Sequence, residues 1–314
     1  MSRFLLRRAL IALPTLFGVT IVVFVTIKMI PGNPVADLAG VNSSPAAREA
    51  LAQRLGLTSP WPVQYLDWLR STLSGNLGIS ISRQTPVGPL VLSAFGNTII
   101  LAIAGSIVAV TGGILLGALG ALRRGRLAAY STSAISTVSV SAPQYTVAYI
   151  LLVVLSVDHT VFPSGGMYDA TGGGGIKALA DHLVLPALAA GIVPMGIIAR
   201  LFRAALVDVL SQEFMVSLKA RGLPALRIFT HALHNTLPSL FTIAGLQVGF
   251  MLGGVIFVET IFSWPGIGQL IYQSISARDY PVIEASSLVV AVALVLTNLL
   301  VDAGHALIDP RLRK

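Results

Sequence analysis

Apolar runs long enough to cross a bilayer alternate with polar intervals along the whole chain. The first, Ala9 to Ile27, is uncharged. At about 1.5 Å per residue it spans a hydrocarbon core, and it exceeds the roughly 7 to 15 residues of a signal-peptide core. It reads as a retained first helix with its N-terminus inside, left at Pro31-Gly32-Asn33-Pro34, which cannot continue a helix. Five further runs follow: Thr98 to Leu122, Ser133 to Val157, Leu183 to Ala199, Ser239 to Phe262 and Ala285 to Val301. The pattern predicts an all-α membrane protein of six transmembrane helices.

Inside these runs the exceptions to plain hydrophobicity are informative. Gly105, Ala109, Gly113 and Gly117 recur every four residues in the second span, as do Gly245, Gly249 and Gly253 in the fifth, placing small side chains on one helical face. Such stripes permit close helix packing, a reading that outweighs the alternative of lining a path. Pro143 interrupts the third span beside Ser139, Ser141 and Gln144, and marks either a packed kink or a polar spot on a path, where the freed carbonyl must find a partner. Glu259 lies near the outer end of the fifth span. A carboxylate there is costly and marks a site or a buried pair, and holding the external gate together is the favoured role. Gln247 and Asn298 complete the polar candidates for a path, and Asp302, four residues beyond Asn298, suits a cap or a basic partner better than a substrate.

The polar intervals differ in kind. Residues 35 to 95 have ordinary polarity, with an amphipathic candidate helix at Ala46 to Leu55; the interval is too long for a connection and too short for an enzyme domain. Residues 158 to 182 carry four consecutive glycines, Gly172 to Gly175, but no Gly-Lys dipeptide exists in the chain, so a phosphate loop is absent and a flexible linker is expected. The interval Glu213 to Pro238 concentrates Lys219, Arg221, Arg227, His231 and His234 between two apolar runs. Gly222 can take the positive φ that ends a helix, and Pro224 suits the first turn of the next, so two short helices meeting at an elbow are predicted.

Composition and charge then fix the class. Of 314 residues 54% are hydrophobic and only 11% charged, against roughly a quarter charged in soluble proteins. There is no cysteine, which excludes disulfides and thiolate chemistry. With both termini cytoplasmic, Lys and Arg number three at the N-terminus, three after the second span, five from Arg200 to Arg227 and three at the C-terminus, against six in the external pieces. That asymmetry follows the positive-inside rule, so the net charge of +8 reports orientation and anionic lipid, and nucleic acid is not a partner. His231 and His234 lack a third ligand in sequence, and no nucleophile elbow, zinc-protease motif or dinucleotide fingerprint occurs, so neither metal nor catalytic residues are expected.

Lys219-Ala220-Arg221-Gly222-Leu223, with His231-Ala232-Leu233 and Asn235 to Pro238, resembles the cytoplasmic coupling loop of permease subunits in binding-protein-dependent ABC importers, above all the first permease of dipeptide, oligopeptide and nickel systems. Pro31 to Val35, Leu55-Gly56-Leu57, Gln64 to Leu69, Gly75 to Gly78 and Thr85-Pro86-Val87 are similar to the external segment of that branch. Glu259 to Gly268 is similar to its signature, and the likeness runs on through Asp309-Pro310-Arg311. The resemblance implies the type I importer fold, divided into a first helix (1–30), an external rim (31–96) and a five-helix core (97–314) whose coupling loop occupies 207–238. It implies a second homologous permease, two ATPase subunits gripping Glu213 and Lys219 to Leu223, an external substrate-binding protein and a bacterial inner-membrane location. ATP and magnesium would sit on the partners, and this chain would bind no cofactor. Leu218 departs from the general pattern, which has a small residue there. Peptide is the expected cargo, with nickel or glutathione as alternatives, and a gradient-driven secondary transporter is the rival class; that class builds its sites from intramembrane charges and broken helices, and charges deep in the spans are almost absent here.

Overall fold

The computed structural model describes residues 2–29, 44–54, 58–122, 126–169 and 175–308. Pro31 to Val35, Leu55 to Leu57, Arg123, Arg124, Gly172 to Gly174 and Asp309 to Arg311 lie outside the described residues. In chain order the helices are α1 (Ser2–Met29), α2 (Pro45–Arg54), α3 (Trp61–Leu73), α4 (Val87–Leu122), α5 (Arg126–Ser141), α6 (Gln144–Leu152, widening to a π turn over Val153–Asp158), α7 (Gly175–Ser211), α8 (Glu213–Ala220), α9 (Ala225–Gly254), α10 (Ile256–Ile261), α11 (Ile267–Ser276) and α12 (Tyr280–Ile308). No strand occurs among the described residues. Four helices there are long and apolar enough to cross a membrane, within α1, α4, α7 and α12, or five if the bent pair α5 and α6 counts as one span.

α7 is the axis of the bundle, packing on α4, α5, α6 and α9. Small residues make this possible. A Cβ on Gly113 would strike Ile198, and one on Gly117 would meet the Ala199 carbonyl oxygen at 2.8 Å; from the other side, a Cβ on Gly191 would meet the Gly105 carbonyl oxygen at 2.7 Å. Gly196 lies as tightly against Ser136 and Ser139 of α5. Leu101, Ala109, Leu185, Ile198, Phe202 and Leu206 are consequently buried along the seam. The second glycine stripe serves a different pair: Gly245, Gly249 and Gly253 of α9 face Val301, Asn298 and Leu294 of α12.

Several elements differ from their sequence reading. α4 begins at Val87, eleven residues before Thr98. Pro143 does more than kink the third span: it takes an extended conformation (φ −59°, ψ 133°) and α5 and α6 meet at 100°. The elbow holds one short helix, α8, because its second helix, α9, runs unbroken through Pro238 for 30 residues. The fifth span is likewise no single helix to Phe262; α9 stops at Gly254, and α10 carries Glu259. Away from the Glu259 end Arg8 pairs with Asp302 at 2.6 Å, so α1 and α12 run antiparallel, the start of one beside the last turns of the other.

Candidate functional site

Two constructions stand at opposite ends of α9, an elbow and a plug. The elbow is built from local rules. α8 is short, and Arg221 caps it. Gly222 follows at φ +73°, while its N–H bonds the Lys219 carbonyl at 3.0 Å and the Leu223 N–H bonds the Leu218 carbonyl at 3.3 Å. These are the two bonds of a Schellman motif, which needs a residue tolerant of the left-handed region at that position. Leu218 packs its side chain on the core, and its carbonyl takes the longer bond. Pro224 is extended and caps α9, whose first amides Arg227 and Ile228 bond its carbonyl.

One residue anchors the elbow. Met215 is fully buried in the main core, whereas Phe214, Val216, Leu226, Lys219, Arg221 and Arg227 are exposed around it. Glu213 opens α8 with its carboxylate near the positive end of the helix dipole, and is exposed as well. A corner pinned by Met215, with Leu218 packed beside it, thus presents apolar and basic side chains together. His231 and His234 are exposed on the following turns, and among the described residues no cluster of three metal-ligating side chains occurs.

The plug is built around Glu259, which is fully buried. Thr98 Oγ1 donates to one carboxylate oxygen at 2.6 Å, and the N–H groups of Gly268 and Gln269 donate to the other at 2.7 and 3.2 Å. Thr98 Oγ1 also accepts the Ile267 N–H at 2.8 Å. The carboxylate therefore caps the first turn of α11 and ties it to α4, with the helix dipole favouring its charge. Trp264, also fully buried, donates its indole N–H to the Asn97 carbonyl at 2.9 Å, and Asn97 returns a bond to the Pro265 carbonyl at 2.9 Å. Ser263 turns the corner at φ +47°. Gly266 and Gly268 leave the room the carboxylate fills, since a Cβ on Gly266 would overlap it. Gly165 closes the far side: its neighbour Gly166 donates to the Phe262 carbonyl at 2.8 Å, while His182 of α7 bonds the Gly165 carbonyl at 3.0 Å and Asp169 at 3.2 Å.

A second buried carboxylate, Asp279, escaped the sequence reading. It sits between α11 and α12 and accepts bonds from Ser80 Oγ, Ser82 Oγ and the N–H groups of Ile81 and Ser82, at 2.5, 2.6, 3.0 and 3.1 Å. The Gly78 to Val87 turn, closed by bonds from Ser80 to Thr85 and from Val87 to Gly78, is thereby fastened to the plug. Burial alone would raise this carboxyl, but the four donors outweigh it and hold its pKa below the ordinary value. A depressed folded pKa contributes stability above the unfolded pKa, near 4, which is lost as pH falls through the folded value. Hydrogen exchange at Ile81 and Ser82 is therefore expected to stay slow from neutral pH down to about 4, with protection lost only in stronger acid; in Asp279→Asn the same amides should exchange fast at neutral pH.

The other candidates are scattered. Ser141 is exposed at the α5–α6 break, and Gln144 beyond it donates to the Ala190 carbonyl at 3.4 Å and faces Gly254. Gln247 is half-buried on α9, and Asn298 is exposed on α12, with its carbonyl oxygen beside Gly249. Glu259 shares no surface with them.

An α-helical bundle with four or five spans, an exposed elbow at one end of a long helix and a fastened plug at the other has the architecture of a multi-pass membrane protein. The family described as binding-protein-dependent transport system inner membrane component matches residues 113–314, and its N-terminal membrane component matches residues 1–102. The chain is 36% identical over 314 residues to the oligopeptide transport system permease protein AppB of Bacillus subtilis (strain 168), covering 99% of both. It is 35% identical over 337 residues to the dipeptide transport system permease protein DppB of Escherichia coli (strain K12), covering 100% of this chain and 99% of that protein. Among solved structures it is similar to the MetNI methionine ABC transporter in an inward-facing conformation, with a TM-score of 0.54 at 18% identity over 70% of this chain and 96% of that one. The chain belongs to the family of binding-protein-dependent transport system inner membrane components.

Proposed function

We propose that this chain is a permease subunit of an ATP-driven importer of dipeptides and oligopeptides in a bacterial inner membrane. The observation that carries the reading is the elbow: a corner fixed by Gly222 and Met215 that exposes Phe214, Val216, Lys219 and Arg221 together. Six spans cross the bilayer, α9 supplying the sixth, and both termini and the elbow are cytoplasmic. The external segment, residues 31–96 in the sequence division, forms a rim for a substrate-binding protein, and the core from 97 to 314 forms the path with a second homologous permease. Ser141, Gln144, Gln247 and Asn298 face that path; Glu259 holds its outer gate; the glycines at 113, 117, 245, 249 and 253 let the helices close on one another.

Two ATPase subunits hold ATP and magnesium, and this chain binds no cofactor of its own. Their closure moves the elbow, and work is transmitted because the two states of the partner grip α8 differently. The relatives named for oligopeptide and dipeptide transport support the cargo. The test is reconstitution of the complex that co-purifies with the tagged chain. Uptake of a labelled dipeptide that requires ATP and an added binding protein is expected, with two further permease and ATPase species recovered in fixed ratio. Uptake driven by an ion gradient without ATP would overturn the reading, and uptake of nickel or glutathione in place of peptide would overturn the cargo.

A further inference from the structure

α3 carries three side-chain stripes at helical spacing. Tyr65, Trp68 and Thr72 form one, Pro62, Leu66, Leu69 and Leu73 a second, and Val63, Asp67 and Arg70 a third. The first stripe lies on α1. Tyr65 packs edge-on against Phe17 and Phe24, with ring centroids 6.3 and 5.4 Å apart, and Trp68 sits 6.1 Å from Phe24. Away from that contact Leu66 is 61% and Leu73 80% exposed, Leu69 is half-buried between them, and Asp67 and Arg70 are exposed beside them.

The register on α1 sets the depth of α3. The Tyr65 hydroxyl meets Thr20 Oγ1 at 2.8 Å, and Gln64 accepts from Lys28 Nζ at 2.5 Å. Thr20 stands nine residues inside Met29, the end of the apolar stretch, hence about 13 Å along the helix axis. A tyrosine reaches about half that distance from its own backbone, so the α3 axis runs several ångströms below the end of the α1 span, at the depth where amphipathic helices bury their apolar faces, roughly 5 to 10 Å into the headgroup boundary. At that depth α1 itself shows lipid its own apolar side, with Val22 64% exposed. Lys28 fits the same level, its ammonium lying 5.5 Å from the Phe24 ring centroid while it bonds Gln64.

We propose that α3 is an interfacial membrane helix, seated in the leaflet at the Met29 end of α1 with Leu66 and Leu73 among the acyl chains and Asp67 and Arg70 among the headgroups. The segment between the first two spans is then fixed in height by lipid as well as by protein contacts. The inference rests on the reading of α1 as a span.

Because the chain has no cysteine, single cysteines carrying a nitroxide can report its depth directly. Val22→Cys, Leu66→Cys, Leu73→Cys and Asp67→Cys would be labelled in the full transporter with cysteine-free partners, reconstituted in phosphatidylethanolamine and phosphatidylglycerol vesicles. The ratio of collision with oxygen to collision with an aqueous nickel chelate is expected to be several-fold higher at 66 and 73 than at 67, and to approach that at 22. Nickel access at 66 and 73 with oxygen access at 22 would place α3 in water and overturn the proposal alone. Access by neither reagent at 66 and 73 would show that protein covers this face, and would overturn it too. Nickel access at 22 would remove the span reading on which it stands.

Discussion

Glu259→Ala is expected to lower stability by several kcal/mol, since each buried donor left without its partner costs about 1 to 3 kcal/mol. The variant strands the N–H groups of Gly268 and Gln269 and leaves the Thr98 hydroxyl only the Ala94 carbonyl as acceptor. It also empties the space that Gly266 and Gly268 keep open. Glu259→Gln separates charge from shape. It keeps the volume and one carbonyl acceptor but turns an amide nitrogen toward a donor, so its loss should be smaller than that of alanine yet clear. The measurement is the thermal unfolding of the detergent-solubilised complex, with hydrogen exchange at Gly268 and Gln269 as the local probe. If the carboxylate were a solute ligand and no strut, Glu259→Ala would leave both unchanged and alter only transport.

This strut shows how far sequence carried the architecture. A carboxylate inside an apolar run had to be bonded, because leaving it unpaired is prohibitive, and that much was legible at Glu259. Its partners were not, since Thr98 lies 161 residues away and only the closing of α11 onto α4 brings them together. Asp279 shows the same limit more sharply: it reads as a loop residue, and its four donors come from a turn nearly 200 residues earlier. Arg8 and Asp302 meet across the full length of the chain.

Local rules succeeded where the cause was local. Gly222 had to be the corner because its conformation is open to glycine and costly to others, and Pro143 marked the interruption of its span though not the size of the bend. They failed where a proline's position within its helix decided the outcome. Residues 87 to 95 read as part of the polar interval, yet they open α4, with Pro89 in its first turn, where no N–H is needed. Pro238 reads as the end of the elbow, but α9 passes through it, with Ala232, Thr236 and Leu240 buried on one face before and after the proline.

The same corner yields the largest functional effect. Gly222→Val places a β-branched residue at φ +73°, which costs about 1 to 2 kcal/mol of backbone strain although open space surrounds the site. The chain relieves this by releasing the two Schellman bonds, so α8 loses its fixed angle to α9 while Met215 still holds it to the core. A shift of that size changes a two-state balance by about five- to thirtyfold. Peptide uptake per ATP hydrolysed by the reconstituted complex should fall by that order, with assembly intact. Gly222→Asn, which tolerates the left-handed region, should restore most of it. Arg221→Glu reverses a charge exposed at the same corner and leaves the fold alone, so it should weaken coupling without changing thermal stability. Should Gly222→Val and Arg221→Glu both transport with unchanged coupling, α8 would not be the element through which the ATPases act.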